Sequence, residues 1–306
     1  MRAILGYIRS YAKEVNKPIL IFCTLFMAGF IWMNYHEKLE IYLTSKMNLP
    51  WGDFTGHVLI FLTAFIIPHS LLYIRRAAKG PVSPGFIACL LLAPMIFALK
   101  MAMNTHLDFN GAIEWKSYWN DIVYWPLRMI TLFGILLVCR QVFHRHEPLY
   151  GLTAKKLNYT PYLIMLLIMV PLIAAASTQA DFLSVYPKMR MILPLPEDAH
   201  PGWWYKLLFE LSYGSDFFSI ELFFRGFVVI GFIKWVGKDA ILPMACFYCT
   251  IHFGKPLGEC VSSYFGGLLL GIVSYHTRSI YGGLMVHLGI AWMMELGGTI
   301  GHYFEW

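Results

Sequence analysis

The chain has 306 residues, of which 58% are hydrophobic and 17% aromatic, while only 14% are charged. Soluble domains carry about 25% charged residues, so this composition excludes an ordinary soluble enzyme, a disordered chain and a coiled coil. The net charge of +6 does not indicate nucleic acid, because the basic residues fall in short clusters between apolar runs. We therefore expect a protein whose partner is the lipid bilayer, with no nucleic-acid partner.

Apolar runs long enough to span a bilayer recur along the whole chain. The first, Pro18 to Met33, follows basic residues as a signal peptide would, but it continues through bulky residues without a cleavage site, which favours a retained span. A spanning helix needs about 20 apolar residues. Further runs lie near 54–74, 84–103, 120–139, 160–178, 206–233, 239–254, 261–275 and 280–296. The pattern predicts an all-α fold, a polytopic membrane bundle of about eight or nine transmembrane helices. The runs that begin at Ala240 and Val261 are short enough to tilt, to sink into the bundle or to be partly re-entrant.

Lysine and arginine occupy alternating loops between these runs. They include Arg75, Arg76, Arg140, Arg145, Lys234, Lys238 and Arg278. The intervening loops are acidic or mixed. Because basic loops stay in the cytoplasm, we expect a multi-pass protein of the cell inner (plasma) membrane with a cytoplasmic N-terminus.

Ionisable side chains inside the apolar runs indicate where chemistry lies, because a charge in hydrocarbon is costly unless it is paired or functional. The last third of the chain holds most of them: Glu221, Arg225, His252, Glu259, His287 and Glu295. Two histidines and several carboxylates on neighbouring helices can activate water directly or bind zinc with an open position. The alternative is that each histidine is a satisfied hydrogen bonder between helices.

Helical spacing predicts which of these side chains are neighbours. Glu221 and Arg225 are separated by four residues, so they can form an ion pair that acts as a structural clamp. His287 and Glu295 lie on one stripe of the last run, with Ala291 between them. Tyr248 lies one turn before His252.

At these residues the sequence resembles the CAAX prenyl protease and bacteriocin-processing (CPBP, or Abi) family of intramembrane endopeptidases. The resemblance covers roughly Ser215 to Leu296. Three family motifs occur in order. Glu-Glu-x-x-x-Arg is matched in part by Glu221 to Arg225, Phe-x-x-x-His is matched as Tyr248 to His252, and His-x-x-x-Asn is begun by His287.

The resemblance implies roles for particular positions. In the family, the first glutamate and the second-motif histidine activate the attacking water, while the third-motif histidine and asparagine stabilise the oxyanion. Here those glutamate and asparagine positions are Ile220 and Ala291. If hydrolysis survives, its carboxylate must come from Glu259, Glu295 or Asp216. The interpretation favoured here makes Glu259 the partner of His252, with Glu295 supporting His287, although Glu259 can equally serve its own helix terminus.

The sequence thus divides into N-terminal transmembrane helices of unrecognised signature, 1–204, and a CPBP-like protease core, 205–306. The resemblance implies an intramembrane endopeptidase that hydrolyses peptide bonds of membrane-associated peptide or protein substrates through a water activated by histidine and a carboxylate. The mechanism requires no cofactor, but leaves zinc open, with His252 and His287 as its ligands. The alternative is a noncatalytic scaffold or binding protein of the same fold, related to bacteriocin immunity or secretion.

Overall fold

The computed structural model describes residues 2–48, 50–76, 82–104, 107, 113–154, 158–191 and 203–304. Within these ranges the chain is helical and contains no strand, which confirms the predicted all-α polytopic class. The main helices are α1 (Arg2–Glu14), α2 (Lys17–Glu37), α3 (Gly52–Arg76), α4 (Pro84–Ala102), α5 (Ile113–Phe143), α6 (Thr160–Ala176), α7 (Trp203–Glu221), α8 (Ile241–Thr250), α9 (Leu257–Thr277) and α10 (Tyr281–Tyr303). A π-helix, Leu222–Gly231, follows α7.

Six helices of the described chain are long and apolar enough to cross a membrane: α2, α3, α4, α5, α9 and α10. The other three predicted spans take different forms. The run at 160–178 forms α6, which has 17 residues. The run at 206–233 divides into α7 and the π-helix. The run at 239–254 forms α8, which has only 10 residues.

Every residue of α8 is buried. The helix packs against α2, α3, α9 and the π-helix. Its apolar sequence therefore serves an interior position, which is one of the three arrangements that the shortness of this run allowed. Cys246 and Cys249 lie on it as buried free thiols.

The chain forms two compact units. The first comprises Met1–Ala102, Gly134–Lys155 and Leu222–Ile280, and the second comprises Met103–Phe133, Lys156–Glu221 and Tyr281–Trp306. The proposed boundary at 204 follows sequence signature rather than compactness, and it stays a prediction.

Phenylalanine rings fill the core of the first unit around α8. Phe247 lies 5.0 Å from Phe224 and 5.0 Å from Phe61 between ring centroids. Phe97 of α4 lies 4.9 Å from Phe224. Tilted and edge-to-face contacts of this kind are the arrangements that aromatic rings prefer. They fix the π-helix beside α4 and α8.

The polar segments of the first unit gather at the two ends of α2. Near its N-terminal end, Lys238 donates a hydrogen bond to Glu14, and Tyr7 of α1 stacks on His276. Near its C-terminal end, Asn34 donates a hydrogen bond to the Phe253 carbonyl oxygen.

The second unit combines an aromatic cluster with close helix packing. Tyr118, Ile122, Phe209, Tyr213, Phe217 and Ala291 form its buried cluster. Glycines on one stripe of α10 face α6: a Cβ added at Gly289 would lie 2.7 Å from Leu166 Cδ2, and one added at Gly282 would collide with the Tyr162 ring. Small residues of this kind let two membrane helices approach closely.

We predict that Gly282→Ala destabilises the protein, because the new methyl group must displace the Tyr162 ring. Overpacking of this kind costs about 1–3 kcal/mol. Gly134→Ala on α5 is the matched control, since a Cβ there meets nothing within 4 Å. It should leave the free energy of unfolding unchanged or raise it by up to about 1 kcal/mol through helix propensity. Denaturant unfolding in bicelles measures both, and equal stability of the two variants would contradict the close α6–α10 packing.

Candidate active-site residues and their partners

The six residues predicted from sequence divide between the two units. Glu221, His287 and Glu295 belong to the second unit, and Arg225, His252 and Glu259 belong to the first. The structure gives each group its own set of contacts.

Glu221 and His287 form a hydrogen-bonded pair in the second unit. The distance between His287 Nδ1 and Glu221 Oε1 is 3.1 Å. The Glu221 side chain is fully buried, whereas 13% of the His287 side chain is exposed. The carboxylate is therefore placed to orient the imidazole, which is the partly exposed member of the pair.

Two neighbours shape the space around this pair. Gly283 lies one turn before His287 on α10, and a Cβ added there would collide with Glu221 Oε2. Phe217 lies one turn before Glu221 on α7 and meets the His287 ring edge-to-face at 4.8 Å. Gly283 was not among the residues selected from sequence. Its position four residues before His287 is the signal that could have identified it, because a glycine there leaves space beside the histidine for another side chain.

The pairing of Glu221 with His287 differs from the arrangement expected from sequence. From sequence, Glu221 was expected to form an ion pair with Arg225, and Glu295 was expected to lie beside His287. Spacing along one helix reveals neighbours on that helix, but it cannot show that α7 meets α10 at these positions. The ion pair of Glu221 with Arg225 stays a prediction.

Glu295 is buried and holds a turn of the backbone. Its carboxylate accepts hydrogen bonds from the backbone N–H groups of Lys188, at 2.8 Å, and Met189, at 3.4 Å. These two residues open the 3₁₀ turn Lys188–Met191. A carboxylate that accepts backbone hydrogen bonds satisfies donors that the short turn leaves unpaired within itself. A supporting role toward His287 stays a prediction.

In the first unit, Arg225 lies fully buried on the π-helix. Its guanidinium carbon is 4.1 Å from the centroid of the Tyr248 ring. Stacking on an aromatic face is favourable for a guanidinium, more so where water is excluded. Gly226, the next residue, lets the π-helix approach Tyr150, since a Cβ there would lie 2.7 Å from the Tyr150 carbonyl oxygen. π-Helical segments are frequent at functional sites.

His252 follows the end of α8 in a tight turn. Its Nδ1 is 3.1 Å from the Tyr248 carbonyl oxygen, and its ring meets the Tyr248 ring at 4.9 Å. Tyr248 thus contacts both Arg225 and His252. Tyr248, the aromatic residue of the second motif, therefore contacts two of the three candidate side chains in this unit.

Two residues of α2 anchor the turn that carries His252. Tyr35 Oη donates a hydrogen bond to the Lys255 carbonyl oxygen and lies 3.4 Å from that of His252, and Asn34 Nδ2 donates to the Phe253 carbonyl oxygen at 3.2 Å. The sequence analysis missed both residues, because they precede the turn by more than 200 positions in the chain.

Glu259 lies in the first turn of α9. Its Oε1 is 3.8 Å from Lys255 Nζ, and 17% of its side chain is exposed. A carboxylate in the first turn is favoured by the positive end of the helix dipole, which is the structural role considered from sequence. Its partnership with His252 stays a prediction. The other candidate carboxylate, Asp216, accepts a hydrogen bond from Ser219 at 3.3 Å.

The two residues that depart from the family motifs, Ile220 and Ala291, are both buried. Ala291 is 4% exposed and belongs to the aromatic cluster of the second unit. Ile220 is 9% exposed. Nothing polar is placed at either position, so any carboxylate or oxyanion donor must come from other residues.

Among the residues that the structure describes, no group of three or more histidine, cysteine, aspartate or glutamate side chains could hold a metal ion. Hydrogen bonds hold Glu221, Glu295 and His252 in place, and the Tyr248 ring holds Arg225.

Residues 203–293, which include the partly matched motifs and most of these contacts, match the family described as Type II CAAX prenyl endopeptidase Rce1-like. This match confirms the resemblance drawn from the motifs. The matched region contains Glu221, Arg225, His252, Glu259 and His287, while Glu295 follows it. No curated protein and no solved structure matches the chain.

The Glu221–His287 pair should be energetically coupled. We predict that Glu221→Ala and His287→Ala each lower the free energy of unfolding, and that the double variant loses less than the sum by about 1–3 kcal/mol, because the shared hydrogen bond is lost only once. Unfolding in bicelles gives the four free energies.

His302→Ala supplies the control for this cycle. His302 is on the same helix and bonds to the Leu183 carbonyl oxygen, so its effect should add to that of Glu221→Ala. Additivity of Glu221→Ala with His287→Ala would show that the pair is not coupled.

Proposed function

We propose that the chain is an intramembrane peptidase of the CAAX-protease type, which hydrolyses peptide bonds of membrane-associated peptides or proteins. The observation that carries this proposal is the buried Glu221–His287 pair, which lies in the region that matches the protease family. The pair combines a buried carboxylate with a partly exposed imidazole, which are groups that general acid–base catalysis uses. In this proposal residues 205–306 form the protease core and residues 1–204 supply supporting transmembrane helices.

The pair supports a specific division of roles. An ionised carboxylate only accepts hydrogen bonds, so Glu221 holds the proton of His287 on Nδ1 and makes Nε2 the basic nitrogen. Nε2 can then take a proton from water, or donate one to an oxyanion once the ring is protonated. Glu221 is a positioning residue in this scheme, because its buried side chain orients the imidazole without touching substrate.

His252 is the second proposed catalytic residue, and the contacts of its turn support that role. Tyr35 and Tyr248 fix the backbone and the ring of His252 from two directions. Held in this way, the imidazole loses little conformational freedom when it engages water or substrate. Glu259 is proposed as the carboxylate that serves it. No step of this scheme passes through a metal ion.

A noncatalytic membrane scaffold, related to bacteriocin immunity or secretion, is the second candidate function. The observation that favours it is the burial of apolar side chains at Ile220 and Ala291, the two positions where family members carry a glutamate and an asparagine. A chain that had lost hydrolysis would retain the fold and lose polar groups at such positions first.

A cleavage assay separates the two candidates. The purified chain is reconstituted in vesicles with a library of membrane-anchored peptides, and the products are identified by mass spectrometry. We expect His252→Ala and His287→Ala to reduce cleavage by a factor of at least about 10², the usual contribution of a general acid or base. Glu221→Gln should reduce it less, since the amide can still bond to the ring.

Two further comparisons make this test decisive. His302→Ala, a histidine substitution on the same helix, should retain cleavage. Loss in Glu259→Gln with full activity in Glu295→Gln supports Glu259 as the partner of His252, and the reverse pattern assigns Glu295 instead. Cleavage that does not depend on His252 or His287 would refute the proposed site, and a folded wild type without cleavage would support the scaffold.

We further propose that the protein lies in the inner (plasma) membrane with its N-terminus in the cytoplasm. The alternation of basic loops supports this orientation. The grouping of α1 with Lys238 and His276 also supports it, because all three belong to segments assigned to the cytoplasmic side.

Cysteine labelling tests the orientation. All six native cysteines are buried, so background labelling should be low. Lys13 and Glu37 are exposed residues near opposite ends of α2. A membrane-impermeant maleimide should label Glu37→Cys in intact cells, and should label Lys13→Cys only after lysis. Labelling of Lys13→Cys alone in intact cells would invert the topology.

A further inference from the structure

A polar cavity of about 310 Å³ lies in the first unit, where α1 meets the C-terminal end of α9. Its wall includes the basic side chains of Lys238, His276 and Arg278, the hydroxyls of Ser10 and Tyr11, and the carboxylate of Glu14. The proposed hydrolysis uses none of these residues. From sequence, Lys238 and Arg278 indicated only which loops lie in the cytoplasm.

The carboxylate of Glu14 accepts hydrogen bonds from two donors that would also suit another oxyanion. Ser10 Oγ donates to Glu14 Oε1 at 3.1 Å, and Lys238 Nζ donates to Oε2. Hydrogen bonds from Lys238 and Ser10 lower the pKa of Glu14. About half of the Glu14 side chain is exposed, at 54%, so the carboxylate can rotate into water and leave these donors to another anion. Exposed ion pairs are weak enough for such exchange.

Arg278 adds a second permanent positive charge to the cavity. Its guanidinium carbon is 5.0 Å from the centroid of the Tyr275 ring. The ion pairs within the described part of the chain give Lys238 a carboxylate partner but give none to Arg278. The cavity lining therefore holds one carboxylate and two permanent cations, while burial, and then Asp239 from outside the lining, raise the pKa of the hydroxyl of the lining residue Tyr11.

The backbone of Arg278 strengthens the case for a ligand. The residue ends α9 with a φ of 56°, in the left-handed region. Glycine is the residue that adopts this conformation at a helix end without steric cost. An arginine at such a position is strained, and strain of this kind is a recognised mark of function.

Basic and aromatic side chains surround the cavity. Arg2, Arg9 and Lys13 are exposed on α1, and Tyr7 stacks on His276 at 4.5 Å. Basic segments beside spanning helices attract anionic lipids, and aromatic rings gather at the headgroup level. A phosphate group borne by a lipid would therefore be concentrated at the mouth of this cavity.

We propose that this cavity binds a phosphate group, whose oxygens accept hydrogen bonds from Lys238, Ser10 and Arg278 in place of the Glu14 carboxylate. The phosphate of a lipid headgroup and free phosphate share this chemistry. Binding at the cavity does not depend on peptide hydrolysis, so the two proposals can fail separately.

The test measures ligand-induced changes in unfolding temperature and dissociation constants for the full chain in detergent. Three probes are compared: dioctanoyl phosphatidic acid, dioctanoylglycerol, which lacks the phosphate, and inorganic phosphate. We expect phosphatidic acid to stabilise the wild type and dioctanoylglycerol to have no effect. A larger response to phosphatidic acid than to inorganic phosphate assigns the site to a lipid, and equal responses assign it to free phosphate.

Three variants distinguish a built site from general surface charge. Glu14→Gln should tighten binding, because the competing carboxylate is gone. Arg278→Gly should weaken it about tenfold, the effect of losing one hydrogen bond to a charged group, while the ligand-free protein unfolds at an equal or higher temperature. Lys13→Gln, which removes an exposed charge outside the cavity, should change little. Equal weakening by Lys13→Gln and Arg278→Gly, or no tightening by Glu14→Gln, would overturn the proposal.

Discussion

Burying charge inside an apolar helical protein is costly, and the C-terminal third of the chain depends on how that cost is offset. Glu221, Arg225 and Glu295 are all buried, yet each is stabilised by a different kind of partner. An imidazole nitrogen meets Glu221, an aromatic face meets Arg225, and backbone N–H groups meet Glu295. Because a buried ion without a partner would destabilise the fold by several kcal/mol, these contacts constrain which helices can lie side by side.

Close packing supplies the positions at which those contacts form. In the second unit, Gly282 of α10 makes room for Tyr162 and Gly283 makes room for the Glu221 carboxylate, so adjacent faces of one helix serve packing and the candidate site. In the first unit, phenylalanine rings around α8 fix the π-helix that carries Arg225. The turn after α8 is in turn held by α2 through Tyr35. The helices outside the matched region thus contribute to the site by holding its backbone.

Ile220 and Ala291, the two departures from the family motifs, are both buried. A glutamate at position 220 would be buried, and an asparagine at position 291 would enter the aromatic cluster of the second unit. The polar functions that family members place there are carried in our proposal by residues at other positions, with Glu221 turned toward His287. The same departures are what a noncatalytic relative would show, and only measured cleavage separates these possibilities.

The sequence by itself determined the membrane class, the helical segments and the residues that carry charge into them, because hydrophobic length and the cost of buried charge act locally along the chain. It also determined the family resemblance, since the motifs are short and ordered. Only the tertiary structure decided that Glu221 meets His287, that Glu295 holds the turn at Lys188, that Tyr35 anchors His252, and that α8 is wholly buried. These contacts join segments far apart in the chain, and helical periodicity gives neighbours on one helix but not the partners that packing brings from another.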